Sequence, residues 1–87
     1  MFKQYRTGSS SKTGAGYIQV SIKKHPLFPG LRFVYEHRLM MAEYLDRKLR
    51  RNEAVHHRNG NRTDNRIKNL ELMSTKKHAQ IHALEAV

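Results

Sequence analysis

Apolar and polar residues alternate most clearly between Tyr17 and Lys23. A period of two along a short segment indicates a strand with one buried face, here the face of Ile18, Val20 and Ile22. The ten residues before it, Thr7 to Gly16, are small and polar. They predict a flexible lead-in or loop rather than a regular element.

A turn and then a helical pattern follow this strand. Residues His25 to Gly30 include both prolines of the chain and a glycine, so they predict a turn. From Arg32 to Asp46 the apolar positions recur at helical spacing and lie within an arc of about 140° on a helical wheel. His37 lies near the middle of that arc and is interpreted as a partly buried histidine. Leu39 falls outside it, which leaves that side chain for a second core or a partner. The arc predicts a helix whose apolar face is Phe33, Val34, Met40, Met41, Tyr44 and Leu45.

The second half of the chain predicts strand, loop, strand and helix. Asn59-Gly60 is a strong turn signal, because both residue types tolerate a positive φ. Ser74 precedes the last helical pattern and is a suitable N-cap. The predicted elements are a strand from Ala54 to His57, an ordered loop through Asn69, a strand from Leu70 to Met73 and a helix from Thr75 to Ala86. The fold class is therefore α+β, with a small N-terminal strand and helix ahead of a ββα unit.

Length and composition limit how such a chain can be stabilised. With 87 residues it holds one domain, and a domain of this size buries only ~60–65% of the surface that its unfolded chain exposes. Small domains often need a disulfide, a metal or a partner, and the absence of cysteine excludes the first. The N-terminus lacks the apolar run of a signal peptide, and no segment is long enough to span a bilayer. A cytoplasmic protein is expected.

The charge balance favours a polyanionic partner. Seventeen Lys and Arg against seven Asp and Glu give a net charge of +10. Nucleic acid is the commonest polyanion in a cell, so it is the expected partner. A membrane surface is the other option, but no segment combines a fully apolar face with a basic one.

Four histidines stand at spacings that suit a metal site. His78 and His82 are one helical turn apart, so their imidazoles project from the same face. His56 and His57 are neighbours on a strand, so they point to opposite faces, and only one of them can join the helical pair at a metal. The other is left nearby as a potential base. Metal-assisted hydrolysis requires a ligand and a base in this relation.

These residues resemble the HNH endonucleases, also called ββα-metal or His-Me finger nucleases, and in particular their small phage-type branch. The resemblance extends over most of the chain, from the strand that opens with Gly16-Tyr17 to His82. The residues that carry it are Glu36 to Met41, Val55-His56-His57-Arg58-Asn59-Gly60, Asp64 to Leu72, His78 and His82.

The resemblance implies a site and a division of the chain. His56, His78 and His82 would bind one divalent metal, His57 would be the general base, and Asn69 would hold the loop that carries His57. An all-imidazole set favours zinc, nickel, cobalt or manganese, whereas oxygen-rich members of the family suit magnesium. A single nuclease domain would span residues 1–87, with a flexible lead-in at 1–16, strand and helix support at 17–52 and the ββα-metal motif at 53–87.

The implied function is metal-dependent DNA cleavage. Arg38 and Arg58 are the candidate DNA contacts, chosen for closeness to the edge of the first helix and to His57. A monomer or weak homodimer is expected, and the resemblance points to phage DNA processing in a host cytoplasm. Two alternatives remain open. One is a non-catalytic DNA-binding module with a structural metal, and the other is an RNA-binding protein, for which 8% aromatic residues provide no evident stacking platform.

Overall fold

The computed structural model describes the backbone of residues 2–85 and the side chains of residues 2–81. Within them it confirms the α+β class, with strands in two sheets and two α-helices. Neither helix in the described part of the chain is long and apolar enough to cross a membrane. The elements are β1 (Arg6–Lys12), β2 (Ile18–Ile22), β3 (Phe33–Tyr35), α1 (Glu36–Leu45), β4 (Glu53–His57), β5 (Leu70–Ser74) and α2 (Thr75–Glu85), with 3₁₀ turns at Lys3–Tyr5 and Ile67–Asn69.

The first sheet is antiparallel, in the order β1-β2-β3. It confirms β2 as a strand, but the prediction of a loop from Thr7 to Gly16 is wrong for Thr7 to Lys12, which belong to β1. Most of β1 is exposed, so its small polar residues are held by backbone pairing with β2 rather than by burial. Gly8 has a φ of 88°, and the strand changes register between Arg6 and Ser10, which is typical of a bulge.

The second difference lies at the start of the first helix. Phe33–Tyr35 is a strand that pairs with β2, and only then does α1 begin, at Glu36. Burial along this strand alternates exposed, buried, exposed, which is the period of a strand rather than of a helix. The predicted apolar arc therefore joined two elements, and Tyr44 within it is 69% exposed.

Helix α1 is buried on two sides. Leu39 and Ala42 pack in one core cluster with the first sheet, and Met41 packs in another with Val55 of β4 and Leu70 of β5. Leu39, which lay outside the predicted arc and was left for a second core or a partner, is fully buried in the core against the first sheet. A helix between two apolar surfaces has no single apolar stripe, which is why one arc on a helical wheel did not describe its buried residues.

The ββα half agrees with the sequence in order and position. Strands β4 and β5 pair antiparallel, with His57 opposite Leu70 and His56 opposite Glu71. The loop between them runs from residue 58 to residue 69. The expected N-cap is confirmed, because the backbone N–H of Lys77 donates to Ser74 Oγ at 3.1 Å.

One ion pair at the start of β4 predicts a pH-dependent stability. Glu53 accepts hydrogen bonds from both terminal nitrogens of Arg47, at 2.8 and 2.9 Å, and from the backbone N–H of Arg50 at 2.7 Å. Mainly through the Arg47 bonds, the pKa of Glu53 falls from 4.5 to about 2. A carboxyl whose folded pKa is depressed stabilises the fold above its unfolded pKa. That stabilisation is lost as the pH falls from about 4.5 towards about 2.

Replacing Glu53 by Gln should therefore lower the free energy of unfolding at pH 7, and the difference from the natural chain should shrink as the pH falls to about 2. Urea denaturation at a series of pH values measures this. Arg47→Met should reproduce the same pH dependence. A destabilisation by Glu53→Gln that is equally large at pH 7 and at the acid end would contradict the assignment.

Candidate active site

A small cavity lies beside the C-terminal end of β4. Its volume is about 160 Å³, and it gathers residues from the connection between β1 and β2, the β4–β5 hairpin and α2. A larger cavity of about 500 Å³ lies elsewhere, among apolar residues such as Leu27 and Phe28, and has no histidine in its lining. The smaller of these two cavities is lined by three histidines, and we call it the histidine pocket: Tyr17, Val55, His56, His57, Gly60, Arg62 and His78.

Strand alternation sends the two adjacent histidines in different directions. The ring of His56 turns towards α2, where its centroid lies 5.5 Å from that of His78. The ring of His57 turns towards α1, where its centroid lies 5.1 Å from that of His37. Both rings still line the same pocket. Two imidazoles from different elements and a third, separate imidazole are thus brought side by side.

The His56–His78 pair has the chemistry and spacing of two ligands on one ion. Two imidazoles bonded to one ion at ~2.0–2.1 Å, with a tetrahedral angle, place their ring centroids on the order of 5 Å apart. The two rings meet edge to face, at an interplanar angle of 71°. Among the described residues no group of three or more His, Cys, Asp or Glu is gathered for a metal. The expected third ligand, His82, has its side chain outside the described residues.

His57 is anchored by a buried amide. Its Nε2 lies 2.6 Å from Oδ1 of Asn65, whose Nδ2 donates to Oε1 of Glu36 at 2.8 Å. Asn65 and His57 are each only 6% exposed. The sequence marked Asn65 as a loop residue, and no local signal connects it with Glu36, 29 positions away. Both are additions to the residues expected around the base.

Asn69 closes the loop that follows His57. Its Oδ1 accepts from the backbone N–H of Asn59 at 3.2 Å, and its Nδ2 donates to the side chain of Asn59 and to the carbonyl of Asp64. Asp64 is itself held by Arg66, whose hydrogen bonds keep the pKa of that carboxyl well below its usual value. The loop is thus tied at several points, which fixes where strand β4 ends and His57 sits.

Aromatic rings pack behind Tyr17 and His57, two of the residues that line the pocket. His37 stacks on Tyr17, with centroids 5.1 Å apart, and on Tyr35 at 5.8 Å. Its pKa is lowered from 6.5 to about 4, chiefly by burial and further by electrostatic repulsion from the neighbouring His57, Arg38 and His78 side chains. His37 is therefore uncharged at neutral pH. It is buried, as expected, and it also contacts His57, which the sequence did not predict.

Arg62 is the arginine that the structure brings to the histidine pocket. Its guanidinium lies 4.9 Å from the ring centroid of Tyr17, and one terminal nitrogen donates to the carbonyl of Ala15 at 2.6 Å. The two arginines expected at DNA lie elsewhere. Arg38 donates to the carbonyl of Glu53 and lines the larger cavity, and Arg58 is an exposed residue paired with Glu71 at 3.3 Å.

Comparison with known proteins assigns the family. The sequence profile described as HNH endonuclease matches residues 34–80, which is more than half of the chain. The matched range begins in β3 and ends in α2, so it contains α1, the β4–β5 hairpin and His78. Neither the curated proteins nor the solved structures include a significant match. The profile match shows that this chain belongs to the HNH endonuclease family.

Proposed function

We propose that the protein is a metal-dependent endonuclease that hydrolyses phosphodiester bonds in DNA. The main observation in its support lies at the end of β4. There His56 faces His78, whereas the neighbouring His57 is hydrogen-bonded to Asn65 and lines the same pocket. Membership of a family whose nucleases act on DNA supports it, as does the net charge of +10.

His56 and His78 are the proposed ligands of one divalent cation, with His82 as the third. The imidazole set favours zinc, nickel, cobalt or manganese, while magnesium prefers more oxygen ligands, which water and phosphate would provide in an open site. A divalent cation bound there would stabilise the negative charge of the phosphate and of the departing 3′ oxygen. The two rings approach each other from different elements, so binding would also tie α2 to the hairpin.

His57 is the proposed general base. Its Nε2 is bonded to Asn65, so Nδ1 is the nitrogen that takes a proton from water. The oxygen of that water then forms a bond with phosphorus as the bond to the 3′ oxygen breaks, and the 3′ oxygen acquires a proton from solvent. His57 is largely buried, but its ring forms part of the pocket wall together with Arg62, so it can be reached from the pocket.

A DNA-binding module with a purely structural metal is the second candidate function. A structural zinc site is closed by four protein ligands, whereas a catalytic site keeps an open position. The proposed set has three histidines, and the neighbouring fourth ring, His57, is bonded to Asn65 instead. This arrangement favours the open, catalytic site. We further propose that the protein acts in the cytoplasm as a monomer that cleaves one strand at a time.

Plasmid nicking tests the proposal. The natural chain, incubated with supercoiled plasmid and Mg²⁺, Mn²⁺, Ni²⁺ or Zn²⁺, should form open circles, and a chelator should stop the reaction. His57→Ala should lower the nicking rate by about 10²–10⁴-fold, because general-base catalysis contributes about that much. DNA affinity and metal affinity should change little.

Because the loss of a buried ring can destabilise the fold, His57→Gln serves as a second variant. Thermal melting followed by circular dichroism measures whether each variant is folded. Nicking by folded His57→Ala at the natural rate would refute the base assignment. Tight DNA binding without nicking by the natural chain in any of the four ions would support the structural-metal module instead.

Arg62 is the proposed contact for the phosphate at the pocket, with exposed Arg58 as an outer contact. The logarithm of the DNA-binding constant falls linearly with the logarithm of the salt concentration. Each phosphate contact that is lost should make this fall less steep by about 0.9. Arg62→Ala should show this reduction and a slower nicking rate. Arg38→Ala is the matched comparison, because Arg38 lines the other cavity, and its slope should stay as in the natural chain. Fluorescence anisotropy with a labelled duplex measures the slopes, and an unchanged slope for Arg62→Ala would contradict the contact.

A further inference from the structure

A chain of two hydrogen bonds runs from the start of α1 to the proposed base. Glu36 accepts from Nδ2 of Asn65, and Oδ1 of the same amide lies against Nε2 of His57. We propose that Glu36, acting through Asn65, is a positioning residue that fixes the proton of neutral His57 on Nε2 and leaves Nδ1 as the basic nitrogen. The consequence for catalysis rests on the proposed function, whereas the placement of the proton does not.

The hydrogen bond between Glu36 and Asn65 has a fixed direction. Glu36 is the first residue of α1, where the partial positive charge of the helix N-terminus favours a carboxylate. A carboxylate offers only acceptors, so the amide of Asn65 must turn its NH₂ group towards it. The 2.8 Å separation of Asn65 Nδ2 and Glu36 Oε1 is that of a charge-assisted hydrogen bond.

The side-chain amide of Asn65 is planar, so its oxygen and its nitrogen point in different directions. With its nitrogen committed to Glu36, Asn65 can present only its carbonyl oxygen to His57. An oxygen acceptor 2.6 Å from Nε2 requires that Nε2 carry the proton. In the neutral ring the lone pair is then on Nδ1. The charge of Glu36 thus determines which ring nitrogen of His57 is the base, although the two residues are joined only through Asn65.

The surroundings of His57 explain why the position of its proton matters. A neutral imidazole has two tautomers, and only the nitrogen without a proton can act as a base. The ring is 6% exposed and lies beside His37 at 5.1 Å and Tyr17 at 6.4 Å, so it cannot turn freely to offer the other nitrogen. The wrong tautomer would therefore be an inactive one.

Nitrogen-15 NMR of the histidine rings tests the proposal on the full-length, metal-free chain in alkaline buffer. The shift of each ring nitrogen and its coupling to the carbon-bound ring protons identify the nitrogen that carries hydrogen, and the spectrum of His57→Ala assigns the signals. His57 should be protonated on Nε2 in the natural chain. Glu36→Gln should populate the Nδ1–H form, because a carboxamide at position 36 can donate and lets the Asn65 amide reverse.

A reciprocal exchange provides the rescue. In the double variant Glu36→Gln with Asn65→Asp, the carboxylate stands at position 65, where it accepts both from position 36 and from Nε2 of His57. This variant should return the Nε2–H form. Glu43→Gln is the matched control, since Glu43 lies on the same helix but bonds to Arg6 and His25, and it should leave the His57 signals unchanged.

The kinetic readout separates this proposal from the proposed function. Glu36→Gln should slow nicking by roughly 10–100-fold, by analogy with the loss of hydrogen bonds that orient metal-binding histidines, with little change in DNA affinity. A natural chain with the proton on Nδ1, or a Glu36→Gln variant with unaltered His57 signals, would overturn the proposal. If the tautomer shifts as expected but no preparation nicks DNA, the positioning stands and the nuclease proposal fails.

Discussion

The candidate site depends on the alternation of side chains along one short antiparallel strand. Because successive residues of β4 point to opposite faces, His56 meets α2 and His57 meets α1. The pairing of His57 with Leu70 and of His56 with Glu71 fixes this choice, since a shift by one residue would exchange the two rings. Burial of Val55 and Leu70 against Met41 holds the register in place.

The N-terminal half contributes directly to this site. Arg62 of the hairpin loop bonds to Ala15 and lies over Tyr17, while Glu36 reaches Asn65 at the far side of the same loop. Tyr17 and Ala15 precede the residues matched by the family profile. The connection between β1 and β2 therefore lines the histidine pocket through Tyr17, while the first sheet supports α1 and holds the polar segment of β1 in the fold.

The features that could be predicted from the sequence are those set by residues close together in the chain. The β2 strand, the hairpin and the Ser74 cap each follow from a periodicity or a spacing within a few residues, and so does the separation of His56 from His57. The three-residue β3 was too short to interrupt a helical wheel. Leu39 was correctly left for a second core, but the wheel could not show which one, because α1 is buried on two sides and no single arc represents both.

The contacts that the sequence missed join distant positions. Glu36 and Asn65 are separated by 29 residues, and Arg62 and Ala15 by 47. Nothing in the local pattern distinguishes Asn65 from an ordinary loop asparagine, or Arg62 from the other arginines of a chain with a net charge of +10. Such pairs become visible only when the loop after β4 is folded back against α1 and the first sheet.

Anomalous diffraction from crystals of the protein grown with Mn²⁺ would test the division between ligand and base most directly. We expect one peak within about 2.0–2.3 Å of a ring nitrogen from each of His56 and His78, with Nε2 of His57 still bonded to Asn65. A peak bonded to a ring nitrogen of His57 would contradict this division between ligand and base. So would a peak elsewhere in the protein with none between His56 and His78.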